Sequence, residues 1–319
     1  MEHLEYLFTH HAVLSQGAMW AIFGVVIVAL LFFDLFIFNR KNEVPNFIHT
    51  LVLCILYVVA ACLFGVFVIY EEGLDKGMDF YTGFLVEKSL SLDNIFIMSL
   101  VFSSIGVPRQ YQHRVLFWGI LGAIVMRALL IGVGEALISN FHWVLYIFSA
   151  ILVWTGVKML VSKEEENADF EQSKVFKFVS KIFHVTGKIH GEHFFVKENG
   201  RHYITPLFFA LVVIEIMDVI FALDSIPAIF LITQDVFIVY TSNIFAILGL
   251  RALYFLLEAV VHKFKYLKPA LAIILTFIGL KIFIPDLFGF ELEAWHSLAV
   301  TFALLFGGIG FSIYKAEKN

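Results

Sequence analysis

Nine apolar runs, each about 20 residues long and so able to cross a bilayer as a helix, dominate this chain. They cover residues 18–38, 47–70, 79–104, 114–138, 142–162, 204–231, 236–261, 266–285 and 295–314. In hydrocarbon every backbone N–H and C=O must be satisfied within the protein. Runs of this length therefore predict an all-α polytopic membrane protein with about nine transmembrane helices. Composition agrees: of 319 residues, 60% are hydrophobic and only 15% charged. The mean hydropathy is +0.88. That apolar excess is too large for one soluble core and excludes a cytosolic enzyme. A formal net charge of -5 gives no basic surface for nucleic acid. Cys54 and Cys62 fall in one apolar run and are expected to be small buried hydrophobes; no disulfide framework or thiolate metal site is expected. Met1 to Gly17 contains no Lys or Arg, so the first run is expected to be a span and not a cleaved signal peptide.

The placement of Lys and Arg orients the chain. Arg40 and Lys41 follow the first run, Arg109 and Arg114 flank the gap after the third, and Lys163 to Arg201 fill the long connection after the fifth. Lys263, Lys265 and Lys268 follow the seventh run, and Lys315 and Lys318 close the chain. The alternate connections carry acids instead, with Lys76 their one basic residue. A bacterial cytoplasmic (inner) membrane protein with its N-terminus outside and its C-terminus in the cytoplasm is expected. The connection 163–203 is then cytoplasmic. It opens acidic and continues as an amphipathic stretch, with Val175, Phe178, Val179 and Ile182 at helical spacing and Lys174, Lys177 and Lys181 beside them. Two readings fit: a helix on the anionic inner leaflet, or a soluble helix packed on its own loop. His190 and His193 have metal-ligand spacing but no third ligand, and a solvated surface pair is the expected reading.

The chain repeats itself internally. Glu87 to Ile95 and Asp218 to Ile226 share an acid, five residues, Leu-Asp, a small polar residue and Ile. Arg127-Ala-Leu with Glu135 matches Arg251-Ala-Leu with Glu258, and Gly156-x-Lys158 matches Gly279-x-Lys281. Residues 79–162 thus form one repeat and 204–285 a second. Span three runs inward whereas span six runs outward, so the repeats (spans 3–5 and 6–8) have inverted topology. Secondary transporters are built this way, with sites at the repeat interface near the midplane.

Charges inside those spans point to the same place. A carboxylate at a helix centre costs roughly 2.5–3.5 kcal/mol on insertion scales, while a Leu, Ile or Phe returns only about 0.3–0.6 kcal/mol. Glu215, Asp218 and Asp224 in one span therefore need a polar interior. A break before Pro227 would realign them and free backbone carbonyls as ligands. Glu87, Asp93 and Asn94 lie at matching depth in the other repeat, and Ser225 is a further neutral oxygen. These donors form an oxygen-rich anionic cluster suited to Mg²⁺, Ca²⁺ or Mn²⁺. The bland alternative is static pairing of these acids with Lys88, Arg127, Lys158, Arg251 and Lys281. For Arg127 and Arg251, pairing with Glu135 and Glu258 stands beside a proton relay. Asp34 lines the path or meets the interface, and Asn243 is a ligand or an interhelical hydrogen bond. Lys158 and Lys281 sit at span ends where they can snorkel. Gly119, Gly122, Gly132 and Gly134 are expected at close helix contacts.

These residues resemble the TerC family of bacterial integral membrane proteins, nearest its Alx-type branch. The resemblance rests on Glu87-Lys-Ser-Leu through Asp93-Asn94, Glu215 through Asp224-Ser-Ile-Pro-Ala-Ile, Thr241-Ser-Asn through Arg251-Ala-Leu-Tyr-Phe-Leu-Leu, and Glu192-His-Phe-Phe-Val. It implies a LysE-superfamily-like transporter fold and manganese export, in a family named for tellurite resistance and linked to alkaline pH. It also implies that Glu87, Asp93, Glu215, Asp218 and Asp224 form the metal and proton site. Tellurite is an anion, a poor ligand for carboxylates, so that link is expected to be indirect. The residues alone lead to an inverted-repeat membrane protein with a hard-cation site; manganese, rather than calcium, comes from the resemblance. No phosphate-binding GxxxxGK[ST] loop is present, so transport would draw on an ion gradient, with protons displacing the metal. The motifs of hydrolytic enzymes are absent from the spans, no cofactor is expected, and an enzyme is not expected. A second reading is a membrane scaffold that docks secretion or stress-response partners through 163–203, with the acids as a structural ion site.

Overall fold

The computed structural model describes residues 14–38, 47–161, 174–183, 185–186, 189–198, 201–257, 267–285 and 292–316. The side chain of Asp93, Glu258 and the acidic stretch 164–171 lie outside the described residues. The helices are α1 (Gln16–Phe38), α2 (Phe47–Glu72), α3 (Leu74–Ile105), α4 (Arg109–Asn140), α5 (Val144–Val161), α6 (Lys174–Ile182), α7 (Pro206–Ile232), α8 (Val236–Leu248), α9 (Leu250–Leu257), α10 (Leu267–Lys281) and α11 (Ala294–Ala316). A short antiparallel hairpin, β1 (Phe195–Glu198) and β2 (Arg201–Ile204), pairs Phe195 with Ile204. Among the described residues, seven helical segments are long and apolar enough to cross a membrane: α1, α2, α4, α5, α7, α8 with α9, and α11. Two of the nine expected runs are outside that set. The third, α3, is 32 residues long but carries Asp75, Lys76, Asp79, Glu87, Lys88 and Asp93. The eighth, α10, is a 15-residue helix.

Local chemistry sets the ends. Thr205 caps α7: its hydroxyl accepts from the Phe208 amide and donates to the His193 carbonyl at 2.7 Å, with Pro206 at the first helical position. Asp235 caps α8 by accepting from the Phe237 amide at 3.0 Å. Gly106 ends α3 at φ 74°, where a side chain would be strained. Of the two arrangements open for this span, a regular helix or a break before Pro227, the regular one occurs, and α7 runs unbroken from Pro206 to Ile232. Pro227 lies in the last turns, where Ala228, Ile229 and Phe230 are buried and hold the helix against its one lost hydrogen bond. The interruption falls instead at Gly249, between α8 and α9.

The helices pack by their small residues. A Cβ on Gly156 of α5 would collide with Thr276 and the Ala272 carbonyl of α10, and one on Gly279 of α10 would meet Val153 and the Ser149 carbonyl of α5. Each contact maps onto the other by one shift of 123 residues. Gly119, Gly122 and Gly134 also lie against α7, as expected, but Gly132 has open space beside it and is no packing residue. Gly156→Leu is expected to force α5 off α10 and cost about 1–3 kcal/mol. A lowered melting temperature in detergent would register it, and an unchanged one would contradict the contact.

Apolar side chains outside the core form a belt: Val25 and Phe32 are each 70% exposed, as lipid-facing residues must be when only protein covers a surface. The same belt corrects the expectation for the cysteines: Cys54 is half-buried and Cys62 exposed. In a bilayer the lipid takes the place of a protein core for such residues.

A charged network and an oxygen-lined cavity

Arg127, fully buried at the middle of α4, is the centre of a network drawn from four helices. Its guanidinium pairs with Glu87 of α3 through Nη1, which also donates to Asn243 Oδ1 of α8 at 2.8 Å. Nη2 and Nε grip Asp218 of α7 at 2.9 and 3.3 Å, a two-pronged contact that only a planar guanidinium makes. Asn243 Nδ2 returns to Glu87 Oε2 at 3.3 Å, and Asn94 Nδ2 of α3 donates to Asp218 Oδ1 at 3.3 Å. Glu87 and Asp218 are thus held in place by a resident cation. Asn243 becomes an interhelical hydrogen-bonding residue that links Glu87 to Arg127. The bland alternative, static pairing of Glu87 and Asp218 with Arg127, is the arrangement seen, and these partners come from other helices and not from Glu135, two turns along its own.

Arg251 likewise pairs across the fold. Its Nη2 pairs with Asp34 Oδ1 of α1 and donates to the Asp34 carbonyl at 3.1 Å, with both residues buried. Asp34 is therefore an interior ion-pair partner. Lys88 of α3 donates to the Ala246 carbonyl at 3.0 Å, beside the interruption at Gly249.

Because α7 is regular, Asp218 and Asp224 point in different directions. Asp218 faces α4. Asp224 faces α5, where Thr155 Oγ1 donates to its Oδ1 at 3.4 Å. Asp224 lines a cavity of about 280 Å³ together with Glu87, Asn94, Thr155, Lys158 and Ser225. Asn94 Oδ1 and Ser225 Oγ are buried and have no hydrogen-bond partner among the described residues. Each such oxygen typically costs about 1–3 kcal/mol when left unsatisfied.

Glu215 stands apart from this cavity. It lies against Gly119 and Gly122 of α4, where a Cβ on Gly122 would come within 2.6 Å of its Cδ. Its carboxyl borders an apolar groove of about 790 Å³ walled by Trp118, Val125, Leu211 and Ile220. The structure therefore brings Glu87, Asn94 and Asp224 to one cavity, ties Asp218 to its wall through Asn94, and leaves Glu215 on the far side of α7. Among the described residues, no three Asp, Glu, His or Cys side chains converge as a ready metal cage. Thr155 has no part in the sequence motifs; its only signal is a hydroxyl one turn before Lys158 in an otherwise apolar span.

The family model for "Integral membrane protein TerC family" matches residues 72–319. The chain belongs to the TerC family. The match takes in α3 to α11 and hence the network and the cavity. A membrane protein of Rickettsia bellii (strain RML369-C) is 48% identical over 296 residues, covering 93% of this chain and 97% of the relative. A Myxococcus xanthus membrane protein is 44% identical over 309 residues, 97% of this chain and 96% of its own length. A Salmonella typhi protein named "Putative membrane-bound redox modulator Alx" is 43% identical over 296 residues, 90% of this chain and 91% of the relative. No solved structure matches the chain. This TerC-family chain is accordingly a multi-pass integral membrane protein, with Alx-type proteins among its relatives.

Proposed function

We propose that this chain is a secondary transporter that exports divalent manganese from the cytoplasm in exchange for protons. The observation that carries the reading is the cavity between α3, α5 and α7. Glu87, Asn94, Thr155, Asp224 and Ser225 bring oxygen donors to it, and two of those oxygens are buried without partners among the described residues. A hard divalent cation satisfies such donors; oxygen donors predominate on the lining, with the Met159 thioether its one sulfur among the described residues. Asp224 supplies the charge, and Asn94 and Ser225 supply neutral oxygens. Arg127 keeps Glu87 and Asp218 oriented while no ion is bound. Lys158 lines the same cavity and offers Asp224 a resident counter-charge until the metal arrives. Protons arriving from outside compete for the carboxylates and release the cation there.

The transporter architecture we infer has nine spans, with α3 and α10 completing the set, and two inverted halves. It is supported by packing: α3 lies on α8 as α7 lies on α4, and the Gly156 and Gly279 contacts interchange under the same shift. An N-terminus outside and a C-terminus in the cytoplasm of the inner membrane follow from the distribution of Lys and Arg. The name of the Salmonella relative speaks of redox modulation. Here Cys54 and Cys62 are free and sit on one helix, about 12 Å apart along its axis, beyond disulfide reach. Thiol pairing within the chain is therefore no competing account.

The test is total cellular metal, by mass spectrometry, in bacteria that lack their own manganese exporters. Cells carrying this chain and loaded with Mn²⁺ should retain less manganese than cells with an empty vector, at unchanged calcium. Equal manganese in both would overturn the proposal, and a fall in calcium alone would reassign the cargo.

A further inference from the structure

Helix α6 presents more apolar surface than the protein covers. Val175, Phe176 and Val179 pack on the first turns of α7, with Val179 1% exposed and the Phe176 ring edge-on to Phe209 at 5.2 Å. Phe178 and Ile182, one turn apart, are left open at 60% and 53% exposure. At about 100° per residue these two form one edge of the apolar arc, and Lys177 and Lys181 come next around the helix. Both lysines are exposed, as is Ser180 on the opposite side. The order around α6 is thus covered apolar surface, open apolar ridge, then ammonium groups.

Two observations say what meets the ridge. The helix is fastened to the start of α7, where that span begins its apolar run after the Thr205 cap, so α6 sits at a membrane boundary. The ridge is also flanked by positive charge on the side of the chain where the basic residues gather, the arrangement that suits anionic headgroups. We propose that Phe178 and Ile182 insert into an anionic phospholipid leaflet while Lys177 and Lys181 bind its phosphates. The connection after α5 would then hold the start of α7 to the bilayer surface. Such anchoring is independent of the transported ion.

The experiment uses the full chain in nanodiscs, with Cys54 and Cys62 replaced by Ala and a spin label placed at Phe178→Cys, Ile182→Cys or Ser180→Cys. Power saturation compares collision with oxygen, which concentrates in the bilayer, and with a water-soluble nickel chelate. In phosphatidylglycerol discs, the labels at 178 and 182 should favour oxygen and the label at 180 should favour nickel. Replacing phosphatidylglycerol by phosphatidylcholine, or introducing Lys177→Glu with Lys181→Glu, should raise the nickel signal at 182. Labels at 178 and 182 as open to nickel as the one at 180 would overturn the proposal. So would labels shielded from both reagents, which would mean a protein partner on the ridge. The two labels report independently, so if Phe178→Cys folds poorly, the label at Ile182→Cys decides the question.

Discussion

Asp224→Asn is expected to abolish manganese efflux while the protein still reaches the membrane in normal amount. The substitution keeps the size and the hydrogen bond from Thr155 but removes the one carboxylate that, among the described residues, lines the cavity outside the Arg127 network. A charge-assisted contact is worth about 1.5–3 kcal/mol, so affinity for a divalent cation should fall roughly ten- to hundredfold. Ser225→Ala, which deletes a neutral donor, should weaken transport by a smaller factor. Efflux measured in cells, with membrane protein quantified in parallel, checks both. Full transport by Asp224→Asn would remove the cavity as the ion site.

Arg127→Leu is expected to have the largest effect on stability. It leaves Glu87 and Asp218 buried without their counter-cation, a loss of about 3–5 kcal/mol for a broken buried pair. Lys is a poor substitute, since one ammonium cannot reproduce the two-pronged contact to Asp218. Neutralising the partners as well, with Glu87→Gln and Asp218→Asn, should restore much of the stability, because no unpaired charge then remains. Thermal unfolding in detergent, followed by size-exclusion, measures each variant. If Arg127→Leu alone melted like the wild type, the network would not be holding the four helices together.

Much of the architecture was legible because a bilayer imposes a simple local rule: a span must be apolar for about 20 residues. The rule found α1, α2, α4, α5, α7 and α11 close to their observed limits, and the joined α8 and α9. It also marked Glu87, Asp218 and Asp224 as costly, and so as residues with partners. The Leu-Asp motifs, the two Arg-Ala-Leu segments and the paired Gly-x-Lys segments are the sequence signals behind the proposed repeat. What stayed hidden was partner choice. Five basic residues and several acids lie in the spans, and the sequence left open which of them pair, Glu135 included; the fold joins Arg127 to Glu87, Asp218 and Asn243, at separations of 40, 91 and 116 residues.

Composition and periodicity by themselves determined that this is a helical membrane protein and which polar residues lie inside it. Those properties depend on transfer from water to hydrocarbon, a cost each residue carries wherever its helix ends up. Tertiary structure alone decided that Asp224 meets Thr155, Asn94 and Ser225 at a cavity, that Arg127 occupies the space between Glu87 and Asp218, and that Glu215 faces an apolar groove. Those outcomes depend on how regular helices rotate about their axes and cross at small residues. At about 100° per residue, a six-residue step places Asp218 and Asp224 on different faces of α7, and only the neighbouring helices determine what each face meets.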